Sequence, residues 1–427
     1  MITPPLPEKR NDTNYTANRL LTEDRAVHDW YRFVLSYPAH LVRDYVRHWE
    51  IAGNQRILDP FSGTGTTLVE AKKLGISSVG IEANSVVHFA SSTKLDWTPD
   101  PIELAAHADY VADLTSQRLA EWGHRPLMTL SEDKMNLLLT NSMSPLPLHK
   151  TLVLQECLAN LADPRFIAHE RLALAKTAVA TASNLRFGPE VGVTTQKKLD
   201  ADVLGAWLTS VQTISMDIGL LASEMDTPAI SLLGDARAAQ FLIEPRSIDA
   251  VFTSPPYPNE KDYSRTTRLE MVLLGFAEDK MELRGIKKGL LRSNTRGVYK
   301  EDTDDEWAEQ FPAVQEIAAE IERRRIQMGK TSGFERLYGR VTKLYFGGMA
   351  RHLTSLRPLL RPGAYLGYVV GDQASYLRVM IRTGEILAEI GKSLGYEVVK
   401  IDLFRTRLAT TTGEMMREEV VVLRWPG

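Results

Sequence analysis

The stretch Ile57-Leu58-Asp59-Pro60-Phe61-Ser62-Gly63-Thr64-Gly65-Thr66-Thr67 constrains this chain more than any other. An apolar strand ends there in an acid, and a Gly-x-Gly turn follows. Leu68, Val69, Ala71 and Leu74 then recur at helical spacing, which predicts a helix directly after the turn. With no side chains at Gly63 and Gly65, the backbone can approach a ligand closely. A second strand, Ser78 to Glu82, completes a strand–turn–helix–strand unit of the kind that opens a nucleotide-binding α/β sheet. Glu82 lies about 20 residues beyond the glycines, where such sheets grip ribose hydroxyls. Taken alone, a Gly-x-Gly fits an ordinary tight strand–helix turn equally well. Leu68 stands where a dinucleotide fingerprint has its third glycine, which disfavours a dinucleotide-dependent oxidoreductase.

A second apolar strand, Ile248 to Thr253, runs into Ser254-Pro255-Pro256-Tyr257. Together the two stretches resemble the amino-group DNA methyltransferases, N4-cytosine and N6-adenine, which use S-adenosylmethionine. The two signatures are Phe-x-Gly-x-Gly, here Phe61 to Gly65, and (Asp/Asn/Ser)-Pro-Pro-Tyr, here Ser254 to Tyr257. The resemblance covers residues 28–95 and 229–425 and leaves the middle unexplained. It implies a Rossmann-like class I methyltransferase fold: an α/β, mostly parallel seven-stranded sheet with an antiparallel C-terminal strand, plus a helical insertion. It also implies a cofactor site at Asp59, Phe61, Ser62, Gly63, Gly65, Thr66, Glu82 and Asp235, with S-adenosylhomocysteine as product and no metal. A strand predicted from Ala229 ends in Gly234-Asp235, the place where relatives meet the cofactor adenine. Asp59 would face the cofactor amino acid, or else cap the turn as a structural acid. Tyr37 and Pro38 loosely match the entry to a helix that borders the methionine end; a core-packing helix start is the alternative.

The resemblance makes Ser254, Pro255, Pro256 and Tyr257 the catalytic residues. In this chemistry an exocyclic amine attacks the methyl of a sulfonium, with no covalent protein intermediate. The amine's lone pair is delocalised into the base, and acceptors bonded to its hydrogens release it. Ser254 offers a side-chain oxygen and Pro255 a backbone carbonyl, held ready because proline has no N–H and restricts its predecessor. Tyr257 offers a face on which a base can stack, after leaving the duplex at a cost of a few kcal/mol. The plain alternative is a rigid strand-to-loop turn with a packing tyrosine. Serine at the first position, preceded by Thr253, is commonest in the N4-cytosine branch, so cytosine leads and adenine is the alternative. Two further readings stay open. One is an RNA amino-methyltransferase, although the short stretch before Ile57 leaves no room for an RNA-binding module. The other is a non-catalytic nucleic-acid-binding subunit, against which the intact tetrad counts.

The 427 residues suit two or three domain-sized units, or one large domain with insertions. The expected division is an N-terminal arm (1–26), the cofactor half of the core (27–98), a helical insertion (99–226), the Ser-Pro-Pro-Tyr half (227–277), a basic insertion (278–340) and the C-terminal strands (341–427). Within these, helices are predicted from Asp163-Pro164, over Asp200 to Leu221 and over Arg378 to Leu394. The helical insertion suits a recognition lobe, a cofactor lid or a dimer surface. Cys157 is the single cysteine, which excludes an intramolecular disulfide and a multi-cysteine zinc site; a reducing, cytoplasmic setting is expected. No run of about 18 apolar residues predicts a membrane span. A net charge of -3 argues against nonspecific coating of nucleic acid, but not against a local basic track. Arg284, Lys287, Lys288, Arg292, Arg296 and Lys300 follow one another with no acid between them, interleaved by Gly285, Gly289 and Tyr299. That pattern predicts a mobile loop along a DNA backbone; a solvated face is the alternative. Double-stranded DNA is the expected partner, with restriction or defence-system proteins as candidates and no membrane.

Overall fold

The computed structural model describes residues 20–32, 36–188, 190–224, 226–259, 261–408 and 413–427. Most of the expected N-terminal arm, and Phe33, lie outside these residues. Seven strands form the central sheet: β1 (Arg56–Asp59), β2 (Ser77–Glu82), β3 (Ala229–Leu233), β4 (Ile248–Thr253), β5 (Leu360–Gly371), β6 (Glu397–Leu408) and β7 (Met415–Arg424). Across the sheet they run in the order β3, β2, β1, β4, β5, β7, β6. The first five are parallel, and β7 is antiparallel to both neighbours. This is the Rossmann-like class I methyltransferase sheet that the two signatures implied.

Strand β1 lies beside β4, with Ile57 opposite Ala250 and Leu58 opposite Val251. From β1 the chain works outward to β2 and β3, then returns to β4 on the other side of β1. The crevice at the carboxyl ends of β1 and β4 is therefore the switch point, where open α/β sheets bind ligands. Both strands read as apolar runs because both of their faces are covered. Ile57, Ala250 and Phe252 pack against Leu41, Val42 and Tyr45 of the helix Ala39–His48. Leu58 and Val251 face the opposite layer, where Tyr345, Phe346 and Met349 of the helix Tyr338–Leu356 cover them.

Between β2 and β3 the chain is mostly helical. Four long helices, Pro101–Ala120, Pro145–Asn160, Ile167–Thr177 and Val203–Leu220, share one apolar core with Leu68, Val69, Val86 and Val87 beside the sheet. Asp100 starts the first of them, accepting from the amides of Ile102 and Glu103 at 2.9 Å with Pro101 in the first turn. The helix expected from Asp163-Pro164 begins at Ile167 instead, because Asp163 spends Oδ1 on the Arg165 amide (2.9 Å) and closes a turn. The helix expected from Arg378 begins at Thr383, since Leu377 and Arg378 are left-handed (φ 55° and 63°). A short ribbon, Leu185–Phe187 paired with Val191–Val193, projects from the helical layer. Among the described residues no helix is long and apolar enough to cross a membrane.

Candidate active site

A cavity of about 750 Å³ opens at the switch point. Phe61, Ser62, Gly63, Thr66, Glu82 and Asp235 reach it from the β1–β3 side, and Ser254, Pro255, Pro256 and Tyr257 from β4. The two signatures thus share one chamber.

Gly63 (φ 52°) and Gly65 (φ 86°) are both left-handed, so the turn requires glycine. They serve different neighbours. A Cβ on Gly63 would meet nothing within 4 Å, whereas one on Gly65 would sit 2.8 Å from Ser91 Oγ. Gly63 therefore leaves room in the cavity wall, while Gly65 lets the turn close on the helix behind it. The Gly63 amide donates to Glu82 Oε2 at 2.9 Å, and the Asn84 amide to Oε1 at 2.8 Å. Burial nevertheless raises the Glu82 pKa to about 7, outweighing the two amides. Asp235 is gripped by Arg237, whose Nη2 lies 2.7 Å from Oδ2 and whose Nε lies 2.9 Å from Oδ1. Arg237 also pairs with buried Asp304, which fixes Asp235 at the cavity edge.

Asp59 is fully buried and is not in the cavity wall. It accepts from the Tyr37 hydroxyl (2.9 Å), the Thr253 hydroxyl (2.5 Å) and the Phe61 amide (3.2 Å). Burial lifts its pKa to about 6 against those three donors. In this position it braces the glycine turn. Thr253 completes the brace, since its oxygen also accepts from the Phe61 amide at 3.3 Å. One buried carboxylate and one hydroxyl therefore tie the end of β1 to the end of β4.

On the other side, the Ser254 hydroxyl donates to the Val369 carbonyl at 3.0 Å, and its side chain also lies in hydrogen-bonding reach of the Tyr257 hydroxyl. The Tyr257 amide donates to the Tyr263 hydroxyl at 3.2 Å. The Tyr257 ring lies over Gly371, where a Cβ would be 3.0 Å from Cε2 and 3.3 Å from Glu418 Cγ. Burial raises the Tyr257 hydroxyl, so the ring is a neutral phenol. Several wall residues carried no sequence signature: Asn259, Lys261, Tyr263, Phe404, Arg405, Arg407 and Glu418. Spacing alone hints only at Tyr263, six residues after Tyr257. Gly188 and Glu190, in the ribbon's turn, reach the cavity as well.

The expectation of a mobile basic loop is corrected. Lys280–Gly289 is a helix, because Asp279 caps it by accepting from the amides of Met281 (2.8 Å) and Glu282 (2.9 Å). Arg292 is 4% exposed and forms a fork to Asp302, both bonds 2.9 Å. Lys287 turns inward to Asp262 at 3.2 Å, and Arg296 pairs with Glu190 at 3.2 Å. The acids that neutralise these three cations lie outside the run and fold back or across onto it. Arg284, Lys288 and Lys300 stay exposed, Arg284 near Glu301 at 3.3 Å. Among the described residues no group of three or more His, Cys, Asp or Glu is placed to hold a metal ion.

Comparison with known proteins agrees with this geometry. A family described as DNA methylase, of the N6/N4 type, matches residues 8–90. The type II methyltransferase M.BsoBI of Geobacillus stearothermophilus is 25% identical over 97% of this chain and 86% of its own length. The type II methyltransferase M.AvaI, from Nostoc sp. and from Anabaena variabilis, is 23% identical over 95% of this chain and 86% of its own. The similarity therefore runs through the helical insertion as well as the sheet. Its sequence match, its near full-length relatives and its paired turns together support an S-adenosylmethionine-dependent DNA methyltransferase of the type that modifies exocyclic amino groups, N4 of cytosine or N6 of adenine.

Proposed function

We propose that the protein methylates N4 of cytosine in double-stranded DNA, as the modification enzyme of a restriction–modification system. The observation that carries this is the shared chamber: the glycine turn and Ser-Pro-Pro-Tyr end neighbouring strands and open on the same space. Cytosine is favoured by Ser254 at the tetrad's first position with Thr253 before it. The restriction–modification setting is favoured by relatives that are named type II methyltransferases.

The wall residues fit the cofactor. Glu82 presents a carboxylate for ribose hydroxyls, Gly63 leaves open space, Phe61 offers an aromatic edge, and Asp235 can accept from an adenine amine. When bound, S-adenosylmethionine supplies an electrophilic sulfonium methyl. Ser254, neutral and anchored on Val369, accepts one hydrogen of the target amine, and the Pro255 carbonyl accepts the other. Together they localise the lone pair, which is catalysis by positioning and preorganised dipoles. Tyr257, seated on Gly371, stacks on the everted base. The exposed Arg284, Lys288 and Lys300 give the duplex backbone its outer contacts.

The test is transfer of labelled methyl from S-adenosylmethionine to unmodified duplex DNA, followed by digestion to nucleosides. N4-methylcytosine is the expected product. N6-methyladenine would overturn the choice of base, and no transfer would overturn the function.

A further inference from the structure

Beyond Tyr257 the cavity wall holds a charge cluster that the methyl-transfer chemistry does not use. Arg405 and Arg407 stand two residues apart on β6 and both reach the cavity. Residues so spaced share one face of a strand. Glu418, directly across on β7 and only 10% exposed, is the carboxylate between them. Arg405 spends Nε (2.6 Å) and Nη2 (2.9 Å) on it, and Arg407 approaches with Nε at 3.3 Å. Nη1 of Arg405 and both terminal nitrogens of Arg407 have no partner among the described residues. Lys261, four residues past Tyr257, lines the same wall and forms no ion pair among the described residues.

Three cations therefore surround one carboxylate in a partly enclosed space, an excess of positive charge that an anion would balance. Burial, and then Arg407, depress the Lys261 pKa, with Glu418 opposing. The neighbouring cations are thus close enough to repel. Position identifies the anion. Glu418 and the Tyr257 ring rest on the same Gly371, so the cluster borders the seat of the everted base and not the glycine turn.

We infer that Lys261, Arg405 and Arg407 form a phosphate subsite that holds the DNA backbone beside the everted nucleotide, with Glu418 orienting the two arginines. The inference rests on the function proposed above. Lys261 and Arg407 carry the contact, and Arg405 is the guanidinium that Glu418 fixes. The subsite keeps the extruded nucleotide from swinging back into the duplex while Ser254 and Tyr257 engage its base.

The test uses the full-length protein with Lys261→Met, Arg407→Met and the double variant. Its substrate is an unmodified duplex carrying the sequence that the protein targets, with a neutral methylphosphonate placed in turn 5′ or 3′ of the target nucleotide. Transfer by the wild-type protein to the unmodified duplex is measured first; its absence would sink the proposed function, not this subsite alone. Calorimetry with S-adenosylhomocysteine reports folding and should give the wild-type affinity for each variant. Each substitution is expected to lower kcat/KM for DNA about tenfold and to make its salt dependence shallower by about one unit per cation removed. Arg407→Lys should recover part of the loss. At one of the two positions the methylphosphonate should cost the wild-type protein a similar factor and the double variant nothing further. Inorganic phosphate should compete with duplex more strongly in the wild-type protein than in the double variant. Variants with wild-type kcat/KM and salt slope would overturn the subsite. So would a methylphosphonate penalty that is undiminished in the double variant.

Discussion

Ser254 and Tyr257 can be tested apart from the residues that shape the cofactor half. Ser254 supplies an acceptor aimed at the amine, and Tyr257 a face for the base, so their loss should spare cofactor affinity. Ser254→Ala and Tyr257→Ala are each expected to lower kcat by about 10²-fold or more, the usual scale for removing one preorganised partner. Binding of S-adenosylhomocysteine, followed by calorimetry, should not change. Glu82 makes a prediction about pH. Burial holds its pKa near 7, so the carboxylate is largely protonated at pH 6 and ionised at pH 8. Ribose hydroxyls donate better to the ionised form, so cofactor affinity should rise several-fold across that interval. Glu82→Gln should bind more weakly at pH 8 and lose the dependence; an unchanged slope would remove Glu82 from the ribose site. The same raised pKa has the opposite sign for the free protein. The protonated acid is the better buried, so this contribution to stability is full below the ordinary glutamate value of 4.5 and is lost as pH climbs through 7.

At the scale of elements, the glycine turn and the tetrad form one unit through Asp59, Thr253 and Tyr37. The two turns were legible in the sequence because backbone demands leave a local mark: glycine at φ 52° and 86°, proline after a strand. The brace behind them was not. Asp59 meets Thr253 across 194 positions of chain, and nothing local announces that its carboxylate is taken up by Thr253 and Tyr37. The basic run shows the same gap. Six cations without an intervening acid looked like an open track, yet Asp262, far upstream of the run, and Asp302, just after it, draw Lys287 and Arg292 inward. Removing the charge of Arg284, Lys288 and Lys300 together should reduce the salt slope of DNA binding by up to about 3. Removing Lys287 and Arg292 should lower the melting temperature first. Gly65→Ala tests the turn itself. With a left-handed backbone and Ser91 Oγ at 2.8 Å, it should cost about 1–3 kcal/mol of stability, read by denaturant unfolding. Gly63→Ala shares the backbone strain but not the clash, and should cost less.

Over the whole molecule, the central strands were recoverable because a parallel sheet buries both of their faces, and buried strands read as unbroken apolar runs. The helical region between β2 and β3 announced its helices but not its role. Its apolar core is continuous with Leu68 and Val86 beside the sheet, so it is packed onto the catalytic half and not tethered to it. The cavity wall beyond Tyr257 comes from β6 and β7, near the end of the chain, where Arg405, Arg407 and Glu418 resemble any alternating charged strand until the sheet closes. The account as a whole requires that a donor methyl and an everted base meet between the ends of β1 and β4. Sequencing the methylated bases of DNA from cells that express the protein, beside cells that express Tyr257→Ala, tests this most directly. N4-methylcytosine at one recurring sequence with the wild-type protein, absent or sharply reduced with the variant, is the predicted result. Genomic DNA without any new mark, or marks that survive intact in Tyr257→Ala, would contradict it.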